Sequence, residues 1–160
     1  MIPAIVNLQR KVKLEMGEFR MFAAALSEEL AEAEGKHFAA AFVSDERMRE
    51  LNSVFRGKDA TTDVLSFPFA AEDFEAAAFT AASEAGEGAA EGGAPGGFLG
   101  DIVISAEQAA RQAAENELTL ENEIKQLMLH GLLHLCGYDH ETDNGEMEAR
   151  ELEMRAKLGI

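Results

Sequence analysis

A chain of 160 residues with 47% hydrophobic and 28% charged side chains has the size of one globular domain, residues 1–160, and enough apolar surface to fold alone, which excludes a disordered chain. The single cysteine, Cys136, excludes a disulfide scaffold and a cysteine-rich zinc knuckle and points to a reducing, cytoplasmic setting, while no apolar run nears the roughly 20 residues of a membrane span. The net charge of −16 works against a polyanionic partner without excluding one: 10 of the 30 acidic residues lie between Lys58 and Arg111, where there is no basic residue, and charges more than ~10 Å from a site are screened.

Taken in order, Ala4 to Leu8 has the composition of a short strand. Phe19, Phe22, Ala23, Leu26 and Leu30 recur at helical spacing, and that helix is expected to stop near Gly35. Phe38 to Val43 is an unbroken apolar run of strand length. Ser44 is placed to cap a following helix, with Asp45 and Glu46 in its first turn and Met48, Leu51 and Phe55 along its inner face. Val64 to Phe69 is a third strand, stopped by Pro68. Residues 70–97 are built from Ala, Gly and Glu and are expected to form a low-complexity acidic loop, with a helical turn over Glu72 to Ala82 at most.

Phe98 to Ile104 reads as the fourth strand, buried on both faces because its polar alternation is weak. Ser105 and Gln108 have the spacing of a capping box for a short helix reaching about Glu115. A longer helix runs from about Thr119 to Cys136 with Ile124, Leu127, Met128, Leu132 and Leu135 as its core stripe and Gly137 in the stop position. The tail from Asn144 is helical, with acid-before-base pairs Glu146/Arg150, Glu151/Arg155 and Glu153/Lys157 four residues apart. The fold class is α+β, a small sheet of about four strands covered by helices.

Three of the four histidines fall within HGLLHLCGYDH: His130, His134 and His140. The first two stand one helical turn apart, about 40° from each other around the axis, and Gly137 lets the chain turn His140 back toward them. Three neutral imidazoles suit one Zn2+ ion and leave its fourth position to water, the arrangement of a catalytic centre; zinc lowers the pKa of such water from about 15.7 to about 7. The metal site is thus expected on a long helix and the turn after it. The spacing HxxxHxxGxxH also matches the metzincin peptidases, whose general base is a Glu directly after the first histidine, but here that position is Gly131. Cys136 points away from the trio and reads as core filler. Asp139 either orients a ligand or accepts a proton, or simply holds the turn, and isolated His37 reads as structural. Arg56 and Lys58 lie in a loop between a helix and a strand, and a guanidinium there suits a phosphoryl oxygen, with Arg56 the candidate catalytic residue.

Together FRGKDATTDVLSFPF (55–69), GDIVIS (100–105) and HGLLHLCGYDH (130–140), in that order, resemble the YbeY family of bacterial metal-dependent endoribonucleases, over about Ala4 to Lys157. The resemblance implies one zinc ion on His130, His134 and His140, a functionally important arginine at Arg56, and hydrolysis of single-stranded RNA. It further implies a role in 16S rRNA 3′-end maturation and ribosome quality control, with the ribosomal small subunit and an Era-type GTPase as partners. The insertion at 70–97 departs from the family pattern. Two rival readings stand beside it: a zinc peptidase, on the ligand spacing, and a non-catalytic ribosome-assembly factor with a structural zinc.

Overall fold

The computed structural model describes residues 4–69 and 97–160. Apart from Gly97, the expected acidic loop and its helical turn lie outside the described residues. Among the described residues, four strands and five α-helices follow one another: β1 (Ala4–Asn7), α1 (Met16–Glu29), a 3-10 turn (Ala31–Ala33), β2 (His37–Val43), α2 (Asp45–Arg56), β3 (Val64–Pro68), β4 (Phe98–Ser105), α3 (Ala106–Glu115), α4 (Leu120–Leu135) and α5 (Glu146–Leu158). This is the expected α+β architecture. Among the described residues, no helix is long and apolar enough to cross a membrane.

The sheet has strand order β1-β2-β4-β3, with β1, β2 and β4 parallel and β3 antiparallel at the edge. An edge place explains how Pro68 is accommodated inside β3, opposite Gly100, since an edge strand loses no central ladder bond to a missing N–H. β4 is central, and Gly100 through Ser105 are all buried, as its weak alternation requires.

Alternation along the strands divides the core into two layers. Phe38, Ala40 and Phe42 of β2 and Ile102 and Ile104 of β4 face the cluster formed with α1, α4 and α5. Phe19 of α1 meets Phe42 with ring centroids 5.3 Å apart. Val43, Leu65 and Val103 face the other way, against Met48 and Leu51 of α2, where Phe55 stacks edge-on to Phe67 at 5.2 Å. The helices α2 and α4 therefore cover opposite faces of the sheet.

The caps follow the chemistry of the chain. The hydroxyl oxygens of Ser44, Ser105 and Thr119 accept from the backbone N–H of Arg47, Gln108 and Asn122. The capping box at Ser105 is only half formed, because the Ser105 N–H donates instead to the Asp63 carbonyl at 2.9 Å, while the Gln108 side chain pairs with Gln112 and Arg111. The α5 ion pairs depart from expectation in the same manner. Glu151 and Arg155 do pair, at 3.1 Å, but Arg150 binds Glu32 and Glu153, and Lys157 binds Glu29. Neighbours from α1 and the 3-10 turn offer these bases more than the exposed i, i+4 acids do.

Gly100 shows how tightly β3 and β4 meet. Its φ is +141°, and a Cβ there would stand 2.3 Å from the Phe67 carbonyl oxygen and 2.9 Å from Pro68 Cα, both backbone atoms unable to swing aside. Gly100→Ala is expected to cost about 3 kcal/mol or more, measured as a lowered urea midpoint with an unchanged m-value.

Candidate metal centre

The last two turns of α4 carry His130 and His134, their ring centroids 4.8 Å apart. The helix ends at Cys136, and Gly137 follows with φ +105°, a conformation that turns the chain back over the helix end at no Cβ cost. That turn delivers His140, whose ring lies 5.5 Å from His130 and 5.2 Å from His134. One ligand atom from each of the three lies within 4.8 Å of the others. His130 and His134 are half-buried while His140 is exposed, so the group is rooted in the core and open on one side.

The outer nitrogens of two rings are already committed. His130 Nδ1 is 3.1 Å from Glu151 Oε1, and His134 Nδ1 is 3.1 Å from the Tyr138 carbonyl oxygen. Both partners are acceptors, so each Nδ1 carries the proton and each Nε2 presents its lone pair, the tautomer a metal ligand requires. Burial, together with the neighbouring His130 and His140 rings, holds the His134 pKa below its ordinary value against the opposing pull of the Tyr138 carbonyl, which favours the neutral, ligating form. The residues thus fit a single divalent ion, for the three convergent imidazole nitrogens are the donor set that zinc prefers.

Glu151 is the member of this site that sequence reasoning missed. It reads as one half of a surface i, i+4 pair, yet it is only 9% exposed and places one oxygen on His130 and the other 3.1 Å from Arg155. Burial pushes its carboxyl pKa up, but His130 and then Arg155 outweigh that and the net direction is down. The turn bearing His140 is braced from the far side. The Tyr138 hydroxyl donates to Glu32 at 2.6 Å, and Arg150 grips both Glu32 oxygens at 2.8 and 2.9 Å, tying the 3-10 turn, the histidine turn and α5 together.

The remaining candidates separate. Asp139 holds the turn: its Oδ1 accepts from the Glu141 N–H at 3.0 Å and its carbonyl accepts from Thr142 and Asp143. Cys136 is half-buried against the core, and burial pushes its thiol up to about 11, leaving it protonated and a poor ligand. His37 opens β2 and packs on Phe98 at 5.2 Å. Gly131 sits beneath Ile102, where an added Cβ would be 2.7 Å from Cγ2, and its carbonyl accepts from Ser66 Oγ at 3.1 Å. The position of the metzincin general base is therefore pressed onto the sheet and could not point a carboxylate at the histidines.

Arg56 and Lys58 are exposed, and Arg56 makes no hydrogen bond or ion pair with a described residue. Arg56 ends α2 on the sheet face opposite α4. The two helix ends nevertheless share one end of the sheet, for Phe55 stacks on Phe67 of β3 and Leu135 reaches toward Gly100 of β4.

A mixed four-stranded sheet carrying three convergent histidines at one helix end defines the class: an α+β protein with a candidate open metal centre. The family model described as endoribonuclease YbeY matches residues 4–159. Relatives named endoribonuclease YbeY include that of Nautilia profundicola, 45% identical over 116 residues (72% of this chain, 68% of the relative), and that of Solibacter usitatus, 42% identical over 139 residues (87% and 76%). The solution structure of a Thermotoga maritima protein superposes with a TM-score of 0.59 at 26% identity, covering 95% of this chain and 85% of the other. The chain belongs to the endoribonuclease YbeY family, a family of hydrolytic nucleases.

Two outcomes are expected. Glu151→Gln removes the charge behind His130 and lowers the affinity for a divalent metal about tenfold, read by competition with a chromogenic chelator, with the circular dichroism spectrum unchanged. Glu32, whose carboxyl is lowered from 4.5 to about 2 chiefly by Arg150, contributes stability that is full above pH 4.5 and disappears as the pH falls toward 2. With solvent screening allowed for, this amounts to about 1–2 kcal/mol. Urea unfolding of Glu32→Gln should show a lower midpoint at pH 7 and a flatter dependence between pH 4.5 and 2.

Proposed function

We propose that the chain, acting as one hydrolase domain over residues 1–160, is a zinc-dependent endoribonuclease that cuts single-stranded RNA. One observation carries this: three imidazoles whose ligand atoms gather within 4.8 Å, two of them fixed by acceptors at Nδ1, in a chain of the YbeY family. A bound zinc ion would supply a Lewis acid for the phosphodiester and a water acidified toward about pH 7. His130, His134 and His140 would hold that ion on the side where His140 meets solvent. Glu151 keeps His130 turned toward it, and the Tyr138 carbonyl does the same for His134.

The chain supplies no acidic general base at position 131, so the reaction it favours is one in which the attacking water already has a low pKa. Peptide hydrolysis of the metzincin kind loses support from the packing of Gly131 under Ile102. A purely structural zinc loses support from the exposure of His140, since structural sites are closed by a fourth protein ligand. Arg56 serves as the phosphate-binding arginine. Its exposed guanidinium suits a backbone phosphate of an RNA strand that passes this end of the sheet, stabilising negative charge there, with Lys58 adding to the local positive field. The setting proposed for this activity is 16S rRNA 3′-end maturation and ribosome quality control in the cytoplasm, with the ribosomal small subunit and an Era-type GTPase as partners; the family's endoribonuclease description supports an RNA substrate.

His134→Ala should lose both bound zinc, by elemental analysis, and cleavage of a fluorescent single-stranded RNA. Arg56→Glu should keep its zinc and lose at least tenfold in kcat/KM. Undiminished cleavage by His134→Ala after chelation and repurification would sink the mechanism.

A further inference from the structure

Beside the histidines, along the same face of α4, lies an open pocket of about 560 Å³, within the range of small-molecule sites. His130 and Glu151 form its wall nearest the trio, and Leu118 and Leu127 give it an apolar side. Its polar groups include Asp63 before β3, Asn116 after α3, and Glu123 and Gln126 of α4. Glu123, Gln126 or Leu127, and His130 recur at intervals of three and four residues, so the pocket adjoins the trio at His130; Glu123 and His130 are about 10 Å apart along the axis.

We infer that this pocket receives an unpaired nucleobase bearing an exocyclic amino group, from a nucleotide next to the one over the histidines. The inference rests on the nuclease reading of that site. Phosphate is the wrong occupant: the pocket holds three carboxylates, Asp63, Glu123 and Glu151, against one guanidinium, Arg155, which already binds Glu151. A flat neutral ring fits between the leucines and the amides, as single-stranded RNA presents when its bases are splayed out.

Hydrogen bonding sets which base. The Glu123 oxygens are taken by the Gln112 and Asn116 amide nitrogens, at 3.0 Å each, and this leaves the Asn116 side-chain oxygen as an acceptor. Asp63 Oδ2 accepts only a 3.2 Å bond from the same Gln112 nitrogen that serves Glu123. The pocket is thus richer in acceptors than in donors. Cytosine offers an amino group at C4 where uracil, of the same size, offers a carbonyl oxygen that would face Asp63 and Asn116 unpaired.

The test uses the zinc-loaded full chain and 2′-O-methyl oligonucleotides of cytidine or uridine, equal in length and checked by gel to remain intact. Fluorescence anisotropy should give tighter binding of oligo-C by roughly tenfold or more. Asp63→Asn, which keeps the Oδ1 acceptor for the Val64 N–H, and Gln126→Trp, which fills the pocket, should each abolish the preference while leaving zinc affinity at the parent value. Equal binding of the two oligomers by the parent, or a preference that survives both substitutions, overturns the inference. A parent that prefers oligo-C yet cuts no RNA overturns the nuclease reading and leaves the pocket standing; a parent that cuts RNA without telling C from U overturns the pocket alone.

Discussion

The approach of α4 to the sheet at Gly131 governs the rest of the site. Because that residue has no side chain, the helix settles until Ile102 and the Ser66 hydroxyl occupy the space a Cβ would take, and Ser66 Oγ ties the helix backbone to β3. Pinning one face fixes the other. With residue 131 turned onto β4, His130 and His134 must point outward along the seam between α4 and α5, half-buried and convergent. Substituting an acid at this position, as the peptidase spacing would require, would lift the helix off the sheet and misplace the very ligands it was meant to assist.

What holds the rings in their ligating orientation comes mainly from the end of the chain. Glu151 on α5 presents a buried carboxylate to His130, and Arg155 one turn later holds that carboxylate in place. Arg150 of the same helix grips Glu32, which in turn receives the Tyr138 hydroxyl. The alternate faces of α5 thus act on two parts of the site, one behind the His130 ring and one behind the turn that carries His140. Folding of the metal centre is therefore coupled to docking of the last helix, and metal binding should stabilise α5 as well as the turn.

Local signals in the sequence reached far into this structure because the site is mostly local. His130, His134, Gly137 and His140 span eleven residues, so helical spacing and one turn glycine are sufficient to bring them together. Helix caps at Ser44 and Ser105, and the buried run of β4, were legible for the same reason. Long-range partners were not. Glu151 carries the sequence pattern of an exposed i, i+4 pair, and nothing within its own helix announces a histidine 21 residues earlier. The preference of Arg150 for Glu32, 118 residues away, likewise overrides the Glu146 partner that helical spacing offers. Arg56 was legible as a residue of the right chemistry, but which face of the sheet its helix covers is a matter of strand order, which periodicity does not encode.

The position of Arg56 bears on how a chain with a net charge of −16 can take an anionic polymer. A histidine centre flanked by Glu151, Glu123 and Asp63 repels phosphates on its α3 side, so in the proposed reading a strand bound there would meet the protein through its bases. On the other face of the sheet, Arg56 and Lys58 are exposed at and after the end of α2. In the proposed reading, an RNA strand that lays its bases along α4 and its backbone toward these two cations satisfies both halves of this asymmetry. Duplex RNA does not, because its bases are paired with one another and its two backbones would present phosphates to the acidic wall as well. On the proposed reading, a preference for single strands follows from the placement of charge on the two faces of the sheet, without a dedicated steric gate.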